Sequence, residues 1–372
     1  MGTQLMKGGS AIAASAISAG CRFFAGYPME PFTALLEGFS VQMPGAGGTC
    51  INAESEIEGI NMALGASAAG ARAATGSCGQ GLALMQEAIA EAALNELPLV
   101  VFNLARGQQD YFQATRGGGW GDYRTIALAP KDAAEAVEHT QLLFHLADLY
   151  RTPVLLYGDY LVSGTYMSVD TSPRHYGDLA PKDWALDGTL GGTRRSRVIW
   201  TWRRGKVWDP GPGPDKHWQA VADKYERIAA TEARHESSRT EDADTVVVAF
   251  GTTAPFVEYV VEELRGDGVR IGWFRPVSLW PFPELALAEA TESARRVLVY
   301  ELNAGQMIDD VRLSVTDRTK VVPIGRVSQD ESGLKQGELL AVDAVRERIV
   351  GHLDPRRPAP GARSGRAGQR GA

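Results

Sequence analysis

Three runs in the first half of the chain decide its fold: PLVVFNL at Pro98–Leu104, KDAAEAVEHTQLLFHLADLY at Lys131–Tyr150 and PVLLY at Pro153–Tyr157. The first and third are short and almost wholly apolar, as strands covered on both faces must be. The run between them is long and amphipathic, the pattern of a helix with one buried face. Working outward, the same alternation repeats. Gly9–Gly20 is small and apolar like a tightly packed helix, Cys21–Gly26 reads as a short buried strand, and Pro31–Phe39 as a helix. Thr49–Ala53 is a strand, and after Glu54 the residues Ile57, Ile60 and Leu64 recur at helical spacing. Ala71–Thr75 is a strand and Leu82–Leu94 a helix. Strand and helix alternating in this way predict a parallel sheet with helices on both faces. Ligands of such sheets bind at the carboxyl ends of the strands.

A second, smaller α/β unit follows. Thr245–Phe250, Val269–Phe274, Val297–Tyr300 and Lys320–Ile324 read as strands, and Thr253–Arg265, Glu284–Ala294 and Gln306–Val315 as the helices between them. The expected class is therefore α/β with two parallel-sheet domains, residues 1–165 and 243–352. Between them lies an irregular connector, residues 166–242, holding Trp184, Trp200, Trp202, Trp208 and Trp218 and the Pro/Gly run Asp209–Pro214. So many indoles are too apolar for a free linker and are expected to pack on a domain or a partner. Asp215–Glu236 reads as a helix leading into the second domain.

Composition narrows the function. The 372 residues are 44% hydrophobic and 22% charged, ordinary for a globular protein, with a net charge of -7 that disfavours a nucleic-acid partner. The end of the chain, residues 353–372, differs: Arg356, Arg357, Arg363, Arg366 and Arg370 stand among Gly, Pro and Ala, a disordered basic tail by composition. Cys21, Cys50 and Cys78 are far apart, so neither a zinc site nor an iron–sulfur cluster is expected on this chain. The start shows no secretory signal and no apolar run is long enough to span a bilayer. The expectation is a cytoplasmic chain without a membrane partner.

No G-x-G-x-x-G follows the first strand and there is no Walker A run, which disfavours a nicotinamide or nucleotide enzyme. The glycine-rich pieces Gly45–Gly48, Gly117–Gly119 and Gly188–Gly192 read as loops. His139 and His145, six apart on one helix, face different ways and make no metal pair. More informative is Asn52-Ala53-Glu54-Ser55-Glu56-Ile57-Glu58-Gly59, where three carboxylates meet at a strand-to-helix junction. Acidic residues there complement the helix dipole, which is sufficient reason for them; catalysis is the competing reading.

The stretch Cys21-Arg22-Phe23-Phe24-Ala25-Gly26-Tyr27-Pro28 resembles the start of the alpha subunit of 2-oxoacid:ferredoxin oxidoreductases, most closely the branch acting on branched-chain acids such as 2-ketoisovalerate. The resemblance continues through Ala53–Gly70, Glu96-Leu97-Pro98, Arg106-Gly107, Gln109-Asp110-Tyr111, Gly117–Gly119 and Thr125–Pro130. In the second unit it includes Phe274-Arg275-Pro276, Leu279–Pro283 and Asn303–Met307. It implies a thiamine-diphosphate pyrimidine-binding domain followed by a transketolase C-terminal-like domain. The diphosphate and its Mg2+ would belong to a separate beta subunit in an α2β2 heteromer, and any iron–sulfur cluster to a partner. A small 2-oxo acid would be the substrate, with ferredoxin or coenzyme A as further partners.

The same resemblance assigns residues. Glu56, nine residues before Gly65, matches the cofactor glutamate, whose carboxyl bonds the aminopyrimidine and favours the tautomer that deprotonates the thiazolium. Glu54 and Glu58 are then structural. Tyr27, Pro28, Ser77, Cys78 and Gly79 would face the cofactor. Arg106 would bind the substrate carboxylate, a bidentate task suited to guanidinium, with Glu30 and Pro31 beside it. In thiamine enzymes a Gly-Asp-Gly with a later Asn holds the metal; here Gly266-Asp267-Gly268 directly follows a helix, and a C-cap and turn account for it. Two departures stand out. Tyr27-Pro28-Met29-Glu30-Pro31 has a glutamate where the family has threonine, and a Gly/Pro-rich segment is missing between Gly107 and Gln108. Both leave room for a non-oxidative decarboxylase or carboligase, or for an inactive scaffold subunit.

Overall fold

The computed structural model of the chain describes residues 2–186 and 214–353. Trp200, Trp202, Trp208, the runs Gly188–Gly192 and Asp209–Gly213, and the basic tail from Asp354 lie outside the described residues.

Fourteen strands are described in chain order: β1 (Gln4–Lys7), β2 (Phe23–Gly26), β3 (Thr49–Asn52), β4 (Ala73–Ser77), β5 (Leu99–Ala105), β6 (Ile126–Leu128) and β7 (Pro153–Asp159). There follow β8 (Tyr166–Val169), β9 (His235–Ser238), β10 (Thr245–Val248), β11 (Ile271–Pro276), β12 (Ser278–Trp280), β13 (Arg296–Val299) and β14 (Val321–Pro323). The first sheet has the order β12-β6-β7-β5-β4-β2-β3 and the second β14-β13-β10-β11-β9. Both are parallel except for one strand each, β12 against β6 and β9 against β11. The α/β class with two mainly parallel sheets is thus the architecture the alternating pattern predicts.

The centre of each sheet follows from composition. All seven residues of β5 are buried, as are the four of β10, because helices cover both faces. Helix Gly8–Ser18 packs tightly on helix Thr33–Gln42: a Cβ at Gly9 would overlap the Ala34 backbone, and one at Gly38 would stand 3.0 Å from the Ala13 Cβ. Small residues let these backbones approach, which is what the Gly/Ala run encodes.

Some elements differ from expectation. The Leu82–Leu94 helix is two, Gly79–Leu84 and Gln86–Leu94, meeting at Met85. The helix expected over Asp215–Glu236 stops at Thr231, and His235–Ser238 joins the second sheet. Its polar sequence, HESS, carries no strand signal; pairing with β11 makes it one. Likewise β12 arises from the second half of the chain yet completes the first sheet, bonded in register to Leu128. Trp218 stacks edge-on with Trp120 at 5.8 Å, and the Arg151 guanidinium lies 4.8 Å from the Trp184 ring centre. These two connector indoles pack on the first domain.

The two sheets share a core. Phe250 meets the rings of Tyr111 and Tyr157 edge-on at 5.4 and 5.8 Å. Arg275, wholly buried on β11, reaches Glu135 at 2.6 and 2.8 Å and Glu236 at 3.2 Å. Among the described residues no helix is long and apolar enough to cross a membrane.

Candidate functional site

The residues named above converge at the carboxyl ends of β2, β4 and β5, three adjacent strands of the first sheet. Glu56 opens the helix Glu56–Ala68. Ser55 caps that helix by accepting the Glu58 N–H, while the Glu58 carboxylate accepts the Glu54 N–H at 3.0 Å. Glu58 is thereby occupied with the helix start, and Glu54 points outward. Of the three carboxylates Glu56 alone is buried, at 4% exposure. Its Oε1 accepts one hydrogen bond, from Ser77 Oγ at 3.0 Å. A buried carboxylate with a single internal donor retains capacity for another.

Ser77 ends β4, Cys78 precedes the next helix, and Gly79 starts it at φ +48°. Ser77 and Cys78 are completely buried, whereas a Cβ at Gly79 would meet nothing within 4 Å, so open space lies beside it. Gly81 is the opposite case: a Cβ there would overlap both Glu56 Oε1 and Ser77 Oγ. The absence of a side chain at 81 permits the Ser77–Glu56 contact.

The Glu30 carbonyl joins two further residues, accepting from Arg106 Nε at 3.1 Å and from the Cys78 thiol at 3.3 Å. Burial pushes the Cys78 pKa up to about 12, so it stands as a neutral donor. Arg106, just past β5, is half-buried, and among the described residues no carboxylate lies within ion-pair distance of it. The Glu30 side chain is exposed, Pro31 is buried, Tyr27 is half-buried and Pro28 exposed.

Gly266-Asp267-Gly268 lies elsewhere, closing the helix Ala254–Gly266. Gly268 has φ +84° and donates to Arg265 O, while Val269 donates to Leu264 O, the paired bonds of a Schellman turn. Among the described residues no group of three metal-ligating side chains is assembled.

Two residues beside the site carried no role in the sequence reading. Asp110, 7% exposed, accepts the Gly79 N–H at 2.9 Å, and Gln108, 2% exposed, bonds the second domain. Asp110 stood in the Gln109-Asp110-Tyr111 run of the resemblance, but neither residue's role could be read there, since both act through tertiary contacts.

The α/β fold with two large, mainly parallel sheets agrees with comparisons with known proteins. The chain matches the family model of the pyruvate flavodoxin/ferredoxin oxidoreductase thiamine diphosphate-binding domain over residues 14–236. Residues 243–336 match pyruvate:ferredoxin oxidoreductase core domain II. The chain belongs to the 2-oxoacid:ferredoxin oxidoreductase family. It is 34% identical over 325 residues to ketoisovalerate oxidoreductase subunit VorB of Methanothermobacter thermautotrophicus, covering 84% of this chain and 90% of that one. It is 32% identical over 378 residues to 2-oxoglutarate synthase subunit KorA of Methanothermobacter marburgensis, covering 93% and 98%. In fold it is like a solved 2-oxoglutarate:ferredoxin oxidoreductase from Magnetococcus marinus, with 2-oxoglutarate, coenzyme A and succinyl-CoA bound. The TM-score is 0.77 at 24% identity, and the match covers 94% of this chain and 66% of that one.

Proposed function

We propose that this chain is the alpha-type subunit of a thiamine-diphosphate-dependent 2-oxoacid oxidoreductase, and that its active site is completed by a beta subunit in an α2β2 heteromer. The observation that carries the reading is Glu56: one buried carboxylate among three, under-supplied with donors, at the strand ends where such sheets bind ligands. The residues fit the cofactor. Glu56 has one oxygen partnered by Ser77, and the space beside Gly79 is open. Glu56 would share a proton with the pyrimidine ring nitrogen, accepting its N–H in the imino form, with Tyr27, Pro28 and Ser77–Gly79 against the ring. Bound thiamine diphosphate supplies a nucleophilic carbon and an electron sink for loss of CO2 from a 2-oxo acid.

The remaining roles belong to this chain. Ser77 Oγ–H fixes Glu56 so that its free oxygen faces the ligand. Arg106, held by one nitrogen on the Glu30 carbonyl, keeps the rest of its fork for the substrate carboxylate. Glu30, exposed, and Pro31 flank that fork. Mg2+ and the diphosphate would be held by the beta subunit, and an iron–sulfur cluster by a partner. Ferredoxin would then take the electrons and coenzyme A the acyl group.

The test is reconstitution with the beta-type partner and measurement of CO2 release from branched-chain 2-oxo acids and 2-oxoglutarate, with and without a low-potential electron acceptor. Acceptor-dependent release supports oxidation. Equal release without an acceptor points to the decarboxylase or carboligase reading that Glu30 and the short Gly107–Gln108 connection favour.

A further inference from the structure

The segment Gln108–Arg116 runs between the candidate site and the second sheet, and most of its side-chain hydrogen bonds join them. Gln108 Nε2 donates to Phe250 O at 3.1 Å, its Oε1 accepts the Leu302 N–H at 2.7 Å, and its carbonyl accepts from Asn303 at 2.9 Å. Gln306 bonds both Gln109 O and the Phe112 N–H at 2.9 Å. Tyr111 and Arg116 both end on Asp310, at 2.7 and 2.8 Å. Every one of these bonds crosses from the first half of the chain to the second.

Asp110 turns the other way, as the Gln113 carbonyl does toward Gln86. It precedes the short helix Tyr111–Thr115 without capping it. Its Oδ2 takes the N–H of Gly79 instead. Asn103, wholly buried and in register with Ser77, makes no hydrogen bond with its side chain among the described residues, and its amide dipole is the nearest further help for the Asp110 charge. Burial nevertheless raises the Asp110 pKa, and the Gly79 N–H, Asn103 and Arg106 offset only part of that cost. The geometry around it shows what such a buried acid holds. What it holds is the hinge of the site: one residue before Gly79, Cys78 bonds the Glu30 carbonyl that also seats Arg106, and two before, Ser77 bonds Glu56.

We infer that Asp110 is a positioning residue for the Ser77–Gly79 loop, and that Gln108–Arg116 ties the geometry of that loop to the seating of the second sheet. The inference rests on reading Glu56 as the partner of thiamine. Withdrawing the Asp110 carboxylate frees Gly79, and with it the hydroxyl that aims Glu56 and the carbonyl that aims Arg106.

The experiment uses the complex with the beta-type partner and the variants Asp110→Ala, Asp110→Asn and Glu56→Gln. Three quantities are measured: the thiamine diphosphate dissociation constant by calorimetry, kcat and KM for the 2-oxo acid, and amide hydrogen exchange across residues 76–84. Asp110→Ala is expected to weaken thiamine diphosphate binding at least ~10-fold, to lower kcat by a similar factor, and to speed exchange in 76–84. Asp110→Asn, whose amide oxygen still accepts the Gly79 N–H, recovers most of each. If Asp110→Ala does not assemble, Asp110→Glu, which keeps the charge but displaces the carboxylate by one methylene, carries the same expectation. Wild-type binding and wild-type exchange in the assembling variant, with Glu56→Gln inactive, overturn the role of Asp110 and leave the functional reading intact. An active Glu56→Gln overturns that reading instead.

Discussion

Ser77 Oγ donates to Glu56 Oε1 at 3.0 Å, joining the carboxyl end of β4 to the first turn of a helix that starts one strand earlier in the chain. Both side chains are buried. The bond orients a carboxylate that would otherwise carry a large desolvation cost with no donor at all. It is also the point where the cofactor loop and the cofactor carboxylate of the proposed site meet.

Gly81 controls that contact. Alanine in place of glycine within a helix is normally worth about 0.5–1 kcal/mol of added stability. Here its Cβ would overlap Glu56 Oε1 and Ser77 Oγ, and overpacking costs about 1–3 kcal/mol. Gly81→Ala is therefore expected to lower the thermal midpoint. Because it displaces Glu56, it should also slow turnover by about 10²-fold in steady-state assays of the assembled enzyme.

Arg106 is expected to act on substrate affinity. A hydrogen bond to a charged group is worth about 1.5–3 kcal/mol, so Arg106→Ala should raise KM for the 2-oxo acid by roughly 10- to 100-fold. Arg106→Lys should recover only part, lacking the planar fork. Glu30→Gln, which removes an exposed negative charge from the same loop, should lower KM, and the gain should shrink as ionic strength rises.

Arg275 is a stability element. Its guanidinium is fully buried between Glu135 of the first domain and Glu236 of β9, so removing it takes the bidentate partner from the part-buried Glu135 and leaves Glu236 to Lys131. Arg275→Ala is expected to cost about 1.5–3 kcal/mol, read by denaturant unfolding.

His139 makes stability pH-dependent. Burial is the main cause that lowers its pKa from 6.5 to about 4; Glu135 and Glu138 oppose it, and Arg275 and Arg234 add to it. The unfolded chain therefore binds the proton more readily. The stability due to neutral His139 is fully present above pH ~6.5 and declines as the pH falls to ~4, a loss of roughly 3 kcal/mol. Thermal midpoints of the wild type and His139→Gln, measured between pH 7.5 and 4.5, should converge toward the acid end.

The parallel sheets were legible because runs such as Pro98–Leu104 and Thr245–Phe250 are apolar on both faces, a local property. The acidic cluster at 54–58 likewise marked a helix start. What the residues alone left open was which of Glu54, Glu56 and Glu58 turns inward; the cap formed by Ser55 and Glu58 separates them, and the family resemblance pointed to Glu56. β9 and β12 carried no readable pattern, since HESS and SLW become strands only through pairing with distant partners. The roles of Asp110 and Gln108 were hidden for the same reason: their bonds reach residues 79, 250 and 302.

The central claim is tested most directly by turnover of the Glu56→Gln complex. Glutamine preserves volume and can still receive the Ser77 hydroxyl, so assembly and thiamine diphosphate content should be unchanged. The account predicts that CO2 release from the 2-oxo acid falls by at least about 10²-fold, the usual worth of a positioned acid–base group. Release within a few-fold of wild type, at equal cofactor content, would contradict it.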